Sequence, residues 1–274
     1  MSFPGSGGEP ESLKQKNFPG GGELPEDLTR RRFLRDGERL DDLQRSGLRI
    51  IQNPRWFCFG MDAVLLSGFV SVKPGEKVMD LCTGSGIIPL LLSAKTKASE
   101  LSGIEIQLEI ADMAARSIAM NGLGDRVHVI CGDLRKPGAS GPAGSMDVVT
   151  CNPPYMEAGR GIVNPDDVQA LSRHEITCTL SDTVREAARL LRNGGRCAFV
   201  YRPQRLADLL ELLRKNRLEP KRLKMVHPFV DRDANMVLIE AVKGGGVFLK
   251  IEKPVIVFSE PGIYTPEIRE VYGY

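Results

Sequence analysis

Lys77-Val78-Met79-Asp80-Leu81-Cys82-Thr83-Gly84-Ser85-Gly86-Ile87-Ile88-Pro89-Leu90-Leu91-Leu92-Ser93-Ala94 reads as a strand, a turn and a helix in immediate succession. Lys77 to Leu81 is a short apolar run carrying Asp80, and Ile87 to Ala94 continues as an apolar helix. Glycines between a strand and a helix let the backbone approach a bound ligand closely, at the open carboxyl end of a parallel sheet. Two nucleotide fingerprints are excluded. A dinucleotide turn needs G-x-G-x-x-G, whereas Gly84-Ser85-Gly86 is followed by Ile87, Ile88 and Pro89, and the G-K-[ST] of a phosphate loop is absent. The acid ahead of the glycines would repel a pyrophosphate and suits a ligand with cationic or hydroxyl groups.

Outward from this stretch, strand and helix patterns alternate. Leu101 to Ile106 is a second strand, closed by Glu105. Gln107 to Asn121 has helical spacing and a stop at Gly122. Val127 to Cys131 precedes Gly132-Asp133, Gly138 to Ser145 is a loop, and Met146 to Cys151 is a fourth strand ending on Asn152. Ser181 is expected to cap a helix running through Leu191 and stopped by Gly194-Gly195. A fifth strand follows over Cys197 to Tyr201, and a helix over Leu206 to Asn216. Lys224 to Pro228 and Met236 to Val242 read as a closing hairpin. The repetition predicts an α/β fold with a mostly parallel sheet, helices on both faces and an antiparallel edge. The expected organisation is a disordered Gly/Pro-rich tail over 1–30, an extension over 31–75 packing on the core, the main domain over 76–245, and a C-terminal extension over 246–274.

With 274 residues, 42% hydrophobic and 26% charged, the chain has the composition of a soluble globular protein. A formal net charge of +2 means that a nucleic-acid partner must be argued from a local patch. No apolar run approaches the roughly 20 residues of a membrane helix, and the N-terminus lacks a secretory pattern. None of the six cysteines forms C-x-x-C, so neither a zinc site nor a disulfide framework is expected. Buried free thiols, no metal, no membrane and a cytoplasmic location are the corresponding expectations.

Three acids stand at three successive strand ends. Glu105 lies about 20 residues past the glycine turn, the spacing at which a carboxylate grips ribose hydroxyls. Asp133 is placed to accept a hydrogen bond from an adenine amino group. Asn152-Pro153-Pro154-Tyr155 follows the fourth strand. An amine conjugated to a ring or carbonyl is a poor nucleophile until its lone pair is freed. The Asn152 side-chain oxygen and the Pro153 carbonyl supply two acceptors for its two hydrogens, favouring a pyramidal nitrogen as it becomes cationic. Prolines stiffen the loop and aim its carbonyls. Tyr155 offers a stacking surface worth roughly 1–3 kcal/mol to a planar base. The plainer alternative is a turn after a strand.

On these residues the chain resembles class I S-adenosylmethionine-dependent methyltransferases of the amino-methylating N-P-P-Y kind. More narrowly it resembles the bacterial tRNA(Val) adenine-N6 methyltransferase family. Phe59-Gly60-Met61-Asp62-Ala63-Val64-Leu65-Leu66, Arg173-His174-Glu175-Ile176-Thr177 and Ala234-Asn235-Met236-Val237-Leu238-Ile239-Glu240 carry the likeness beyond the motif. The resemblance implies a Rossmann-like seven-stranded sheet with a C-terminal antiparallel hairpin, S-adenosylmethionine as cofactor and tRNA as partner. It implies that Asp80, Cys82, Gly84 and Gly86 frame the methionine and ribose parts and that Glu105 and Ile106 hold the ribose. Asp133 and Leu134 would hold the adenine, and Asp62 would approach the methionine end. Asn152, which also reaches the cofactor, would receive the target base together with Pro153 and Tyr155. The implied target is the adenine on the 3′ side of the anticodon. Many family members carry Gly where this chain has Cys82.

Residues 202 to 224 hold eight cations against three acids. Arg214, Lys215, Arg217, Lys221 and Arg222 are therefore candidate contacts to RNA phosphates, with Arg30-Arg31-Arg32 as a second cluster. An ordinary solvated helix face is the alternative. Because a reacting base must leave its stack, an unpaired nucleotide is the expected substrate. Arg173-His174-Glu175 is either a pocket gate or a structural cluster, and His128 and His227 read as structural. Three other functions fit parts of the pattern. A release-factor glutamine methyltransferase shares N-P-P-Y but carries a longer N-terminal helical domain. A guanine-N2 RNA methyltransferase often lacks the Tyr. A non-catalytic RNA-binding module would be free to lose Asp80, Glu105, Asp133 and Asn152.

Overall fold

The computed structural model describes residues 32–56, 58–154 and 178–273. The tail over 1–30, Arg31, Tyr155 and Arg173-His174-Glu175 lie outside the described residues.

The opening stretch folds as read. Strand β3 (Lys77–Leu81) enters the glycine turn and helix α2 (Ile87–Lys95) leaves it; two short strands and a helix, α1, precede them. β4 (Glu100–Glu105), helix α3 (Leu108–Met120), β5 (Val127–Cys131) and β6 (Met146–Cys151) follow within a residue or so of their expected bounds. Helix α4 (Leu180–Leu190), β7 (Leu191–Tyr201), helix α5 (Leu206–Lys215), β8 (Leu218–His227) and β9 (Met236–Lys243) complete the core. The strand order is β5-β4-β3-β6-β7-β9-β8. The first five are parallel, and β9 runs antiparallel to both β7 and β8. These seven strands are the expected ones. Two further two-residue strands, β10 (Lys250–Ile251) and β11 (Val255–Ile256), pair with the outer edge of β8, so the sheet has nine.

Side-chain alternation splits the core into two layers. Val78, Leu101, Val148 and Val200 join α1 (Met61–Phe69) and α2 on one face. Met79, Ile104, Val149 and Phe199 join α4 and α5 on the other. β3, β4, β6 and β7 thus bury both sides, as the centre of a doubly covered parallel sheet requires.

Three expected boundaries shift. The helix cap is Thr179, not Ser181: Thr179 accepts from the Asp182 N–H while Asp182 accepts from the Thr179 N–H, a reciprocal capping box. Gly194-Gly195 does not end that helix but lies inside β7. There a Cβ on Gly195 would fall 2.9 Å from the Arg192 carbonyl and 3.1 Å from that of Asp147. β8 begins at Leu218 rather than Lys224; it carries Pro220, and its register slips between Pro220 and Arg222. The thiols also differ in part from expectation. All six are free, but only Cys151, Cys178 and Cys197 are buried, while Cys131 is exposed.

The flanking segments fasten onto this core. β1 (Arg39–Asp42) and β2 (Arg49–Gln52) form a hairpin over α3. Ile51 packs on Ile110 and Met113, and its N–H donates to Ser117 Oγ at 3.0 Å. At the other end, β12 (Phe258–Glu260) and β13 (Ile263–Tyr264) lead into helix α6 (Pro266–Tyr272). Ile268 of α6 is buried in the same cluster as Leu65 and Leu66 of α1. Arg45 donates to the carbonyls of Glu270 and Val271 at 2.8 and 2.9 Å. No helix among the described residues is long and apolar enough to cross a membrane.

Candidate active site

A cavity of about 340 Å³ opens at the carboxyl ends of the parallel strands. Asp80, Glu105, Asp133 and Asn152 line it together with Asp62, Cys82, Gly84, Ile106, Leu134 and Pro153. The expected cofactor and catalytic residues within the described part of the chain therefore converge, apart from Gly86, which lies one turn behind the wall.

The turn after β3 is built around left-handed backbone. Gly84 and Gly86 have φ of 56° and 80°. A Cβ on Gly84 would meet nothing within 4 Å, so the turn faces open space, whereas one on Gly86 would press on Ala114 at 3.3 Å. Cys82 also has a positive φ, 56°, which costs an L-residue roughly 1–2 kcal/mol. Glycine would adopt that conformation without the cost. The Cys151 thiol against it, together with burial, pushes the Cys82 thiol above its ordinary range. One determinant of the turn escaped the sequence reading: a Cβ on Gly103 of β4 would overlap Thr83 at 2.6–2.7 Å.

Asp80 is 1% exposed. Its Oδ1 accepts from Thr150 Oγ1 at 2.6 Å, while its Oδ2 and the neighbouring Thr83 Oγ1 are buried with no hydrogen-bond partner among the described residues. Burial pushes its carboxyl up to about 7, against the Thr150 hydroxyl. A buried polar atom without a partner at a cavity wall is a place for a ligand's donor or cation. Glu105 does two tasks at once. Its Oε2 accepts from the Gly84 N–H and its Oε1 from the Gln107 N–H, both at 3.0 Å, tying the second strand end to the glycine turn. Asp133 is held by a two-pronged Arg135 guanidinium at 2.9 and 2.8 Å, which keeps its carboxyl below the usual range. Leu134 and Ile106 give this end an apolar wall.

Asn152 follows β6, and its Nδ2 donates to Asp62 Oδ2 at 2.9 Å. Asp62, in the first turn of α1, also accepts the Ala63 N–H through Oδ1 at 2.9 Å. Gln52 spans the N-terminal side, donating to Ser85 Oγ at 2.9 Å and accepting from the Phe59 N–H at 3.1 Å. Thus β2, the glycine turn and the segment before α1 form one connected wall. Arg202, just past β7, lines the rim and donates to the Asn235 carbonyl. Gln52 carries no local signal and Arg202 reads in the sequence only as one cation of the 202–224 patch, because the place of each at the cavity depends on contacts between distant segments.

The five candidate RNA-contacting cations do not reach this cavity. Arg214, Lys215 and Arg217 sit where α5 ends and β8 begins, about 30 Å along β8 from its cavity end, and Lys221 and Arg222 lie within the strand, about 20 Å or less from that end. Arg214 pairs with Glu219 at 3.3 Å and Lys215 with Glu211 at 2.5 Å. Lys221 donates to the Gly246 carbonyl. Arg222 is bound to Glu240 and Glu252 and lies over the Phe69 ring at 4.5 Å. Of the two histidines read as structural, His227 Nδ1 contacts the Arg232 carbonyl at 2.7 Å.

Comparison with known proteins agrees with this geometry. Residues 61–215 match the methyltransferase small domain. The chain is 27% identical over 216 residues to a tRNA1(Val) (adenine(37)-N6)-methyltransferase of Porphyromonas gingivalis, covering 76% of this chain and 84% of that protein. It is 29% identical over 181 residues to the protein of that name from Parabacteroides distasonis, covering 66% and 75%. A crystal structure of a predicted O-methyltransferase from Agrobacterium tumefaciens superposes with a TM-score of 0.63 over 77% of this chain and 95% of that one, at 24% identity, which speaks to the fold.

Proposed function

The chain belongs to the methyltransferase small domain family, and we propose that it transfers a methyl group from S-adenosylmethionine to N6 of an adenine in tRNA. One observation carries the reading: Asn152-Pro153-Pro154 opens into the same cavity as the three strand-end acids. The names of the relatives from Porphyromonas and Parabacteroides support N6 of adenine 37 in tRNA1(Val) as the target.

The cavity fits the donor. Among the described residues Asp80 Oδ2 lacks a partner and a Cβ on Gly84 would meet nothing, which suits a ligand with a cationic amino-acid end. Bound there, S-adenosylmethionine supplies an electrophilic methyl group on a sulfonium centre. Asp80 would face the amino-acid end, Glu105 would take the ribose hydroxyls with its remaining lone pairs, and Leu134 and Ile106 would enclose the adenine beside Asp133. The Asn152 side-chain oxygen and the Pro153 carbonyl accept the two hydrogens of the target amine. They hold its lone pair toward the methyl group and stabilise the positive charge that develops on nitrogen. The strand-end carbonyls and prolines are fixed before the substrate arrives, so little reorganisation accompanies the reaction. The tRNA body is proposed to extend from the rim at Arg202 toward Arg214, Lys215, Arg217 and Lys221, where phosphates would displace Glu219 from Arg214 and Glu211 from Lys215.

The test is methylation of tRNA from a strain lacking this gene, with labelled donor and nucleoside mass spectrometry. N6-methyladenosine is the expected product. A methylated guanine, a labelled release-factor glutamine or no transfer would overturn the reading. Asn152→Ala should lower turnover by about 10²–10³ while donor affinity persists.

A further inference from the structure

We infer that Asp62 is a positioning residue that selects which face of the Asn152 amide meets the target nitrogen. The inference rests on the function proposed above and adds a role to a residue otherwise read as a donor contact.

The two branches of an asparagine amide are nearly identical in shape and opposite in hydrogen-bonding character. With its oxygen toward the target amine, Asn152 accepts a hydrogen. Turned over, it sets a donor against a donor, and the nitrogen lone pair is no longer directed. The amide therefore needs a neighbour of fixed polarity. An ionised carboxylate accepts and cannot donate, so only Nδ2 can face Asp62, and the 2.9 Å contact from Nδ2 to Oδ2 has that sense. A neutral amide or hydroxyl at position 62 would not discriminate in this way.

Asp62 is itself tightly set. It is 8% exposed, and its second oxygen accepts the Ala63 N–H at 2.9 Å. A Cβ on Gly60 would fall 2.8 Å from Asp62 Oδ1, so the carboxylate occupies the space that the glycine leaves empty. The residue stands in the first turn of α1. α1 is anchored by Val64, Leu65 and Leu66, each at most 3% exposed. A rigid helix 90 residues away in sequence thereby fixes one torsion of the catalytic asparagine.

Exchange of polarity tests this. Asp62→Asn should lower kcat by about 100-fold at saturating donor, with KM for tRNA and melting temperature near those of wild type; calorimetry reads its contact to the donor separately. Asn152→Asp should also be impaired, since it places carboxylate against carboxylate. The double variant Asp62→Asn/Asn152→Asp restores one donor facing one acceptor and leaves an oxygen toward the target. It should exceed either single variant by at least about tenfold. A residue that only supports the fold predicts additive losses and no such recovery. Wild-type kcat in Asp62→Asn, a double variant no better than the singles, or a loss confined to donor affinity would each overturn the inference. Should Asp62→Asn fail to fold, the gain from Asn152→Asp to the double variant decides alone. If wild type methylates a different amine, the proposed function fails, and the same exchange is read on that amine.

Discussion

Replacing Asp80 by Asn should stabilise the donor-free protein, and by an amount that depends on pH in a specified direction. The side chain is 1% exposed, and among the described residues only Oδ1 has a hydrogen-bond partner, Thr150. Burial, opposed by the Thr150 hydroxyl and reinforced by the charge of Glu105, lifts its carboxyl from 3.8 to about 7. A carboxyl raised on folding gives its full contribution below the unfolded value, 3.8, and loses it as pH rises through about 7. At roughly 1.4 kcal/mol per pH unit, about 2 kcal/mol is lost by pH 5.5 and about 4 kcal/mol by pH 8. An Asn is neutral throughout and has no such dependence. Urea unfolding of both proteins without donor should therefore show the variant gaining about 2 kcal/mol on wild type between pH 5.5 and pH 8. Other titrating groups cancel in that difference. Saturating S-adenosylmethionine should then stabilise wild type more than the variant, because the donor's cationic end offsets the buried charge only in wild type. A difference that is constant with pH, or that narrows toward pH 8, would refute the reasoning about this carboxylate.

Two further perturbations probe other parts of the molecule. Glu76 and Arg196 form a two-pronged pair with side chains only 9% and 11% exposed, so Glu76→Gln should cost about 3 kcal/mol in urea unfolding; a loss below about 1 kcal/mol would rank the pair with exposed bridges. Reversing the charges of Arg214, Lys215 and Arg217 should weaken tRNA binding and reduce its salt slope by up to about three; an unchanged slope would return that helix end to a solvated face.

The site was legible where one residue type at a strand end carried the signal. Asp80, Glu105, Asp133 and Asn152 follow four apolar runs, and a parallel sheet gathers such ends on one side by its topology alone. The errors arose where local patterns competed. Thr179-Leu180-Ser181-Asp182 contains both a true and a false cap, and only Thr179 has an acid three residues on. Gly194-Gly195 resembles a helix stop, yet β7 needs its small residues where its backbone crowds Asp147. β10 and β11 are too short for any periodicity to register. Charge runs were visible, but their partners were not: Glu240 and Glu252 reach Arg222 only once β8, β9 and the C-terminal segment have come together. The bond from Asn152 to Asp62 is of the same kind, a tertiary fact without a local signature.

The clasp of α6 on α1 has a bearing on how the protein is made. α1 carries Asp62, and its outer surface is completed by Ile268 and Val271, with Arg45 fastened to the carbonyls of residues 270 and 271. Translation delivers α1 early and α6 some 200 residues later. Until α6 clears the ribosome, the support beneath Asp62 is incomplete, and the nascent chain folds its sheet before its active site is locked. Chains interrupted between β9 and α6 would then bind donor without turning over, which separates production of the fold from production of activity.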